Sequence, residues 1–306
     1  MLLFVSGRCD IPAFYSEWLF QRFKAGFVDV RNPFNPHQIS RIALTQDQID
    51  AMIFCTKNPL PILHRLSEIP FPYLFHVTFT PYHQDIESHV LDKKAILEGI
   101  VELSKQIGKD RVYVRYDPIL LNERYTISYH AQAFEKLCAK LQGKINKIII
   151  SFLDMYKNTQ KHAPSLHLQE LRHAQMLAIG KCLGEIGVSY GMQIQTCAEA
   201  IDLSPYHIQK GLCVDRKEIE ALVGYPIALK EKGVRTQCAC LATVDIGDYN
   251  CCAHDCLYCY ANYDSKAILQ RMKCHDPNSS VLIGRIEKGD RIHERKEVNV
   301  KQISLL

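Results

Sequence analysis

The chain has 306 residues, 47% hydrophobic and 23% charged, so it carries enough apolar side chain for a full core and is not a disordered polymer. Its formal charge of +4 is only a weak lead towards anionic partners, and no apolar run approaches the roughly 18–20 residues that span a bilayer. The apolar start, Met1 to Val5, is too short for a secretory signal and follows no basic segment, so a cytoplasmic location is expected.

Short runs rich in Val, Ile, Phe and Tyr recur through the first two-thirds of the chain. They are Leu2–Ser6, Phe27–Val30, Met52–Thr56, Tyr73–Thr80, Arg111–Tyr116, Lys147–Leu153 and Ser189–Thr196, and each reads as a strand. Helices are expected between them. Asp10 and Pro12 open Ala13–Lys24, and Thr45 with Gln48 reads as a capping box. Lys93–Lys105, Tyr129–Leu141 and Leu168–Leu183 show apolar spacings of three and four, with Gly108, Gly143 and Gly187 as helix ends. Strands alternating with helices imply parallel β/α units, hence a complete or partial (β/α) barrel, with a doubly wound open sheet as the alternative. Composition shifts near Lys230, which divides the chain into a barrel-like part, 1–229, and a cysteine-rich segment with its tail, 230–306. The mixed-charge run Arg285–Glu297 reads as solvated surface.

In β/α folds the carboxyl ends of the strands carry the site. Arg8 and Asp10 follow the first run, Arg31-Asn32-Pro33 the second, and Lys57 the third. Arg115 and Asp117 end the fifth, Ser151 and Asp154 the sixth, and Gln193 and Gln195 the seventh. Any one of these is ordinary loop chemistry. Together they suggest a polar pocket for a charged ligand, with Lys57, Arg115 and Asp117 as catalytic candidates and Arg8 and Asp10 as ligand-binding ones.

Thirteen cysteines are many for a chain of this length. Their odd number and the missing signal argue against a disulfide scaffold. Cys238, Cys240, Cys251, Cys252, Cys256 and Cys259 cluster as metal ligands do. Cys252-Ala-His-Asp-Cys256-Leu-Tyr-Cys259 is a Cys-x3-Cys-x2-Cys run that can ligate three irons of a cubane and leave the fourth open. Zinc held by Cys238, Cys240, Cys256 and Cys259, or with His254 as a ligand, is the alternative. Cys197, Cys213, Cys238 and Cys240 supply the four thiolates of a second site, iron–sulfur or zinc. Cys9, Cys55, Cys138, Cys182 and Cys274 read as structural, and Cys251 as a bystander. There is no Gly-x-Gly-x-x-Gly, no phosphate loop and no Gly-x-Ser-x-Gly. The 15 tyrosines and 12 phenylalanines could stack bases, but no basic stripe accompanies them, so nucleic-acid binding is weakly supported.

The three-cysteine spacing, with Tyr258 before the last cysteine, resembles the radical S-adenosylmethionine superfamily, in a permuted, spore photoproduct lyase-like form. That resemblance implies one 4Fe–4S cluster on Cys252, Cys256 and Cys259, S-adenosylmethionine on the open iron near Arg8, Asp10 and Tyr258, and an electron donor such as flavodoxin or ferredoxin. Two features depart from it. The cysteines lie near the C-terminal end rather than after the first strand, and no Gly-Gly-Glu-like segment is present; Ser6 to Asp10 can take its place if the barrel is permuted. The chain is also similar, nearly end to end, to a bacterial family labelled as a domain of unknown function. The likeness runs through Ser6–Pro12, Asn32–Asn35, Thr56–Pro59, Arg115–Pro118, Cys197–Glu199 and Gly211–Asp215. It continues through Cys238–Cys240, Asp245–Gly247, Cys252–Ala261 and His275–Pro277. The first motif of that family is Ser-Arg-Arg-Thr-Asp-Ile-Pro, and Gly7 and Cys9 depart from it. The expected function is reductive cleavage of S-adenosylmethionine on an unassigned substrate. A β/α barrel whose zinc site serves nucleic-acid or protein binding is the second expectation, and a hydrolase with a structural metal the third.

Overall fold

The computed structural model describes residues 1–168, 170–233 and 237–295. The strands are β1 (Leu2–Val5), β2 (Phe27–Asn32), β3 (Asn35–Ala43), β4 (Ala51–Thr56), β5 (Tyr73–Thr78), β6 (Val112–Ile119), β7 (Lys147–Phe152), β8 (Gln193–Cys197), β9 (Ile208–Gly211), β10 (Thr243–Asp245) and β11 (Arg291–Glu294). The helices are α1 (Ile11–Phe14), α2 (Ser16–Ala25), α3 (Lys93–Ile107), α4 (Ile127–Leu141), α5 (Lys157–His162), α6 (His173–Ser189), α7 (Arg216–Val223) and α8 (Ser265–Met272). Eight strands form one all-parallel sheet in the order β10-β1-β4-β5-β6-β7-β8-β9.

Strand alternation sorts the side chains onto two faces. Met52 and Phe54 of β4, Val112, Val114 and Tyr116 of β6, and Ile148 and Ile150 of β7 join one cluster with residues of α1, α2, α3, α4 and α6. The opposite face gathers Leu2, Ile53, Leu74, Tyr113, Ile149 and Cys197 with Ile219 of α7 and Leu241. A doubly wound sheet carries its crossover helices on both faces. Here the long crossovers share one face, an arrangement consistent with a partial β/α barrel. The edges β9 and β10 are spanned by loop backbone, since Leu241 N–H donates to the Val214 carbonyl (3.1 Å) and Ala242 N–H to that of Lys230 (3.1 Å).

Several expectations are corrected. The run at Phe27 is not a barrel strand: β2 pairs antiparallel with β3 in a separate sheet completed by β11, tied by Arg41 to Asp29 (2.8 Å). Arg31 and Asn32 therefore end β2 and Pro33 opens the turn to β3, with Arg31 paired to Asp290 (3.0 Å). β3 gives little sequence signal because Asn35–Gln38 are exposed and polar. Thr45 to Gln48 forms a turn, with Gln48 and Ile49 donating to the Thr45 carbonyl, and no helix follows. Gly187 does not end α6 but lies inside it, where a Cβ would stand 2.2 Å from Ile194 Cδ1. Ala13–Lys24 is split at Tyr15 into α1 and α2, while Asp10 caps α1 as its sequence implies. The cysteine-rich segment supplies β10 to the main sheet beside β1. Arg291–Glu294 is the exposed strand β11, and residues 296–306, with the end of the mixed-charge run, lie outside the described residues, as do 169 and 234–236. Among the described residues no helix is long and apolar enough to cross a membrane.

Candidate functional site

The segment after β10 crosses the C-terminal ends of the strands. Its anchors come from four different strand ends. After β1, the Gly7 carbonyl accepts from Tyr260 Oη, and after β5, the Ile86 carbonyl accepts from Leu257 N–H (3.0 Å). After β7, Asn158 of α5 donates to the carbonyls of Cys259 (2.7 Å) and Asn262, and Thr159 Oγ1 donates to that of Tyr258 (3.2 Å). After β4, Lys57 faces the cysteines themselves.

At the base of the segment Asp245 clasps the loop that follows β1. It accepts from Ser6 Oγ (2.7 Å), Gly7 N–H (2.7 Å) and Gly247 N–H (2.7 Å), and Arg8 Nε stands 4.0 Å away. Burial raises the Asp245 carboxyl, against the hydrogen bonds and Arg8, which lower it. Gly247 is required at this clasp, because a Cβ there would meet Ser6 Oγ at 2.0 Å and Cys9 Sγ at 3.0 Å.

Asp10 joins three pieces of the rim. One oxygen caps α1 through Ala13 N–H (3.0 Å); the other accepts from Lys57 N–H (2.7 Å) and meets His254 Nε2 (2.8 Å). Both oxygens are engaged, so Asp10 positions β1, β4 and the cysteine loop together. The Arg8 guanidinium lies 5.3 Å from the Tyr249 ring centroid and donates to the Gly247 carbonyl (3.3 Å).

Lys57 enters a buried network centred on Glu87. Its ammonium donates to Glu87 Oε1 (2.7 Å) and Thr80 Oγ1 (3.3 Å). Thr80 Oγ1 (2.5 Å) and Tyr258 Oη donate to the same Glu87 oxygen, and Lys93 donates to the other. Burial would raise the Glu87 carboxyl, but Lys57 and Lys93 hold it at about 2. Burial likewise opposes the Lys57 charge, and Glu87 overrides it so that Lys57 is raised. Tyr258 is thus turned inward onto Glu87, with Lys57 Nζ 5.6 Å from its ring centroid. Glu87 was not legible as a site residue. It lies in an irregular stretch, and its pairing with Cys256 is long-range.

The three thiols of the motif lie near enough for their charges to act on one another. Burial raises Cys252, after which Asp10, Cys259 and Cys256 add to the rise; Cys256 and Cys259 are raised by burial and lowered by Lys57. Ala261 N–H points at Cys259 Sγ (3.4 Å). Sulfur binds iron as thiolate, so the Lys57 charge and this N–H favour the ligating form. Among the described residues no three or more His, Cys, Asp or Glu side chains are placed to hold one metal ion. A cubane asks for something else. Each thiolate takes its own iron, and the sulfurs stand further apart than the ligands of a single ion. On donor chemistry and proximity, the three cysteines fit such a cluster.

Arg115 and Asp117 pair with each other on the inner face of β6, through Nε (3.0 Å) and Nη2 (2.5 Å), and Ser151 Oγ approaches Asp117 (3.4 Å). Arg115 Nη1 donates to Cys213 Sγ (2.8 Å). Cys55, expected to be structural, lies on the same face, with burial raising its thiol to about 12 against the Arg115 charge. Cys197 and Cys213 are joined as a disulfide, Cα to Cα 6.4 Å. Cys213 and Val214 N–H donate to Cys240 Sγ (3.2 and 3.5 Å), and the thiols of Cys238 and Cys240 hydrogen-bond to each other. Cys238 and Cys240 therefore keep company with Cys213, whereas Cys256 and Cys259 keep company with Lys57 and Asn158.

No curated protein matches the chain. Residues 2–261, which include every candidate named above, match the family described as Domain of unknown function (DUF1848), and the chain belongs to that family.

Proposed function

We propose that the protein is a radical S-adenosylmethionine enzyme with a cluster on Cys252, Cys256 and Cys259 at the mouth of the sheet. The observation that carries this reading is the position of the cysteine loop. It follows β10, and β10 is the parallel neighbour of β1, so the loop stands at the C-terminal end of a strand, as a circularly permuted barrel requires. When bound, a 4Fe–4S cluster with one open iron supplies the electron for reductive cleavage of the sulfonium.

The protein's own residues prepare this site. Lys57 presents a positive charge to Cys256 and Cys259 and favours their thiolates. Glu87 fixes Lys57 there. Asp10 locks the rim of β1 to Lys57 and His254. Arg8, stacked near Tyr249 at the same rim, is the cation available to a carboxylate of the cosubstrate. Arg115 and Asp117, on the inner face below, offer paired charge to a polar substrate.

The test is metal analysis of the anaerobically purified protein beside a Cys252→Ala, Cys256→Ala, Cys259→Ala variant. The reading expects iron and sulfide in nearly equal amounts, with about four irons fewer per chain in the variant. Equal iron in both proteins overturns it.

A further inference from the structure

We propose that, once the Cys197–Cys213 disulfide is reduced, Cys197, Cys213, Cys238 and Cys240 form a second metal centre at the seam between β9 and β10, binding either one zinc ion or a second iron–sulfur cluster. This goes beyond the radical reading and does not rest on it.

Three separated pieces of chain meet here, the end of β8, the turn after β9 and the loop before β10: the Cys197–Cys213 disulfide joins the first two, Cys213 N–H donates to Cys240 Sγ, and Cys238 hydrogen-bonds to Cys240. Among the described residues β9 and β10 do not pair with each other, and loop hydrogen bonds cross the seam between them. A four-thiolate centre there would fasten β8 and β9 to the segment that leads into β10 and the cysteine loop.

The surroundings suit thiolates. Two backbone N–H groups point at Cys240 Sγ, at 3.2 and 3.5 Å, and the Arg115 guanidinium donates to Cys213 Sγ at 2.8 Å. Donors and a cation of this kind favour the ionised sulfur. His76 is fully buried on the same face, beside the Cys213 backbone, and its ring lies 5.3 Å from that of Tyr113.

The disulfide and the metal centre are alternative states of the same sulfurs. In the disulfide, Cys197 and Cys213 have no charge to give a metal. Loading requires a dithiol reductant, which passes two electrons to the bond, leaves two thiols and is itself oxidised to a disulfide. The four thiols then release four protons as the metal binds.

The experiment uses the Cys252→Ala, Cys256→Ala, Cys259→Ala variant, purified without oxygen in the presence of a dithiol and reconstituted separately with zinc and with iron plus sulfide. About one zinc bound by four sulfurs at roughly 2.3 Å, or about four irons, is the expected residue of metal per chain. The Cys238→Ser, Cys240→Ser variant in the wild-type background provides a second measure. It should lose that amount and keep the iron of the other cysteines. A folded triple variant that binds neither metal under both reconstitutions overturns the proposal. So does a wild-type protein whose Cys197–Cys213 disulfide persists in peptide maps after reduction while the Cys238→Ser, Cys240→Ser variant keeps all its metal. Failure of the radical reading would instead show as unchanged iron between wild type and the triple variant, so the two failures are distinguishable.

Discussion

Replacing Glu87 by Gln removes one charge from the centre of the buried network and keeps its shape. The wild-type carboxylate takes Lys57, Thr80 and Tyr258 on one oxygen and Lys93 on the other. In Glu87→Gln an amide N–H must face one of the two ammonium groups, and the Lys57 side chain, 12% exposed, keeps its charge without a counter-ion. Removing one member of a buried pair costs about 3–5 kcal/mol. The titration of Glu87 agrees in scale. Its carboxyl is held at about 2 instead of 4.5, and at about 1.4 kcal/mol per pH unit the gap corresponds to roughly 3 kcal/mol. A depressed carboxyl contributes its stability above pH 4.5 and loses it as pH falls towards 2. Urea unfolding at pH 7 should therefore show Glu87→Gln weakened by about 3–5 kcal/mol, and Lys57→Met added to it should recover part of the loss, since the orphaned charge is gone. A loss under about 1 kcal/mol, or a double variant weaker by the sum of both single changes, refutes the network as described.

Three further predictions follow from the same contacts. His130 is held neutral, with Tyr116 Oη donating to Nδ1 (2.9 Å) and Nε2 donating to the Leu120 carbonyl (2.9 Å); burial lowers it from 6.5 to about 4. A base depressed in the folded state supports stability above pH 6.5 and withdraws that support as pH falls to 4, so wild type should lose about 3 kcal/mol over that window relative to a His130→Phe variant, read by denaturation at each pH. Gly247→Ala places a methyl 2.0 Å from Ser6 Oγ and should cost about 1–3 kcal/mol in thermal unfolding, because the Ser6–Asp245 clasp must shift; an unchanged Tm contradicts it. Asn158→Ala removes the donors to the Cys259 and Asn262 carbonyls, so amide exchange across 256–262 should quicken while that of β6 and β7 stays as it was.

Where the sequence was legible, burial was the reason. Residues such as Val112, Val114, Tyr116, Ile148 and Ile150 are apolar because they sit between sheet and helices, and their β-rich runs mark strands from composition alone. β3, β9 and β10 are short or half exposed, so their chemistry resembles loop, and β10 places the cysteine segment. Phe27–Val30 carries strand composition without saying which sheet it joins. Cysteine spacing singled out Cys252, Cys256 and Cys259, but it did not announce that Cys213 would be bonded to Cys197 and lie beside Cys240. Spacing could not reveal that Asp10 has both oxygens engaged, that Tyr258 turns inward, or that Glu87 governs Lys57, since these contacts join residues 30 to 244 positions apart.

The central claim is an iron–sulfur cluster whose open iron meets S-adenosylmethionine at the rim near Arg8 and Lys57. Its most direct test is the electron paramagnetic resonance spectrum of the anaerobic, dithionite-reduced protein, recorded with and without S-adenosylmethionine. The account predicts a reduced-cluster signal that shifts on addition of the cosubstrate and is absent from the Cys252→Ala, Cys256→Ala, Cys259→Ala variant. A signal that S-adenosylmethionine leaves unchanged, or protein that holds zinc and no iron, contradicts it.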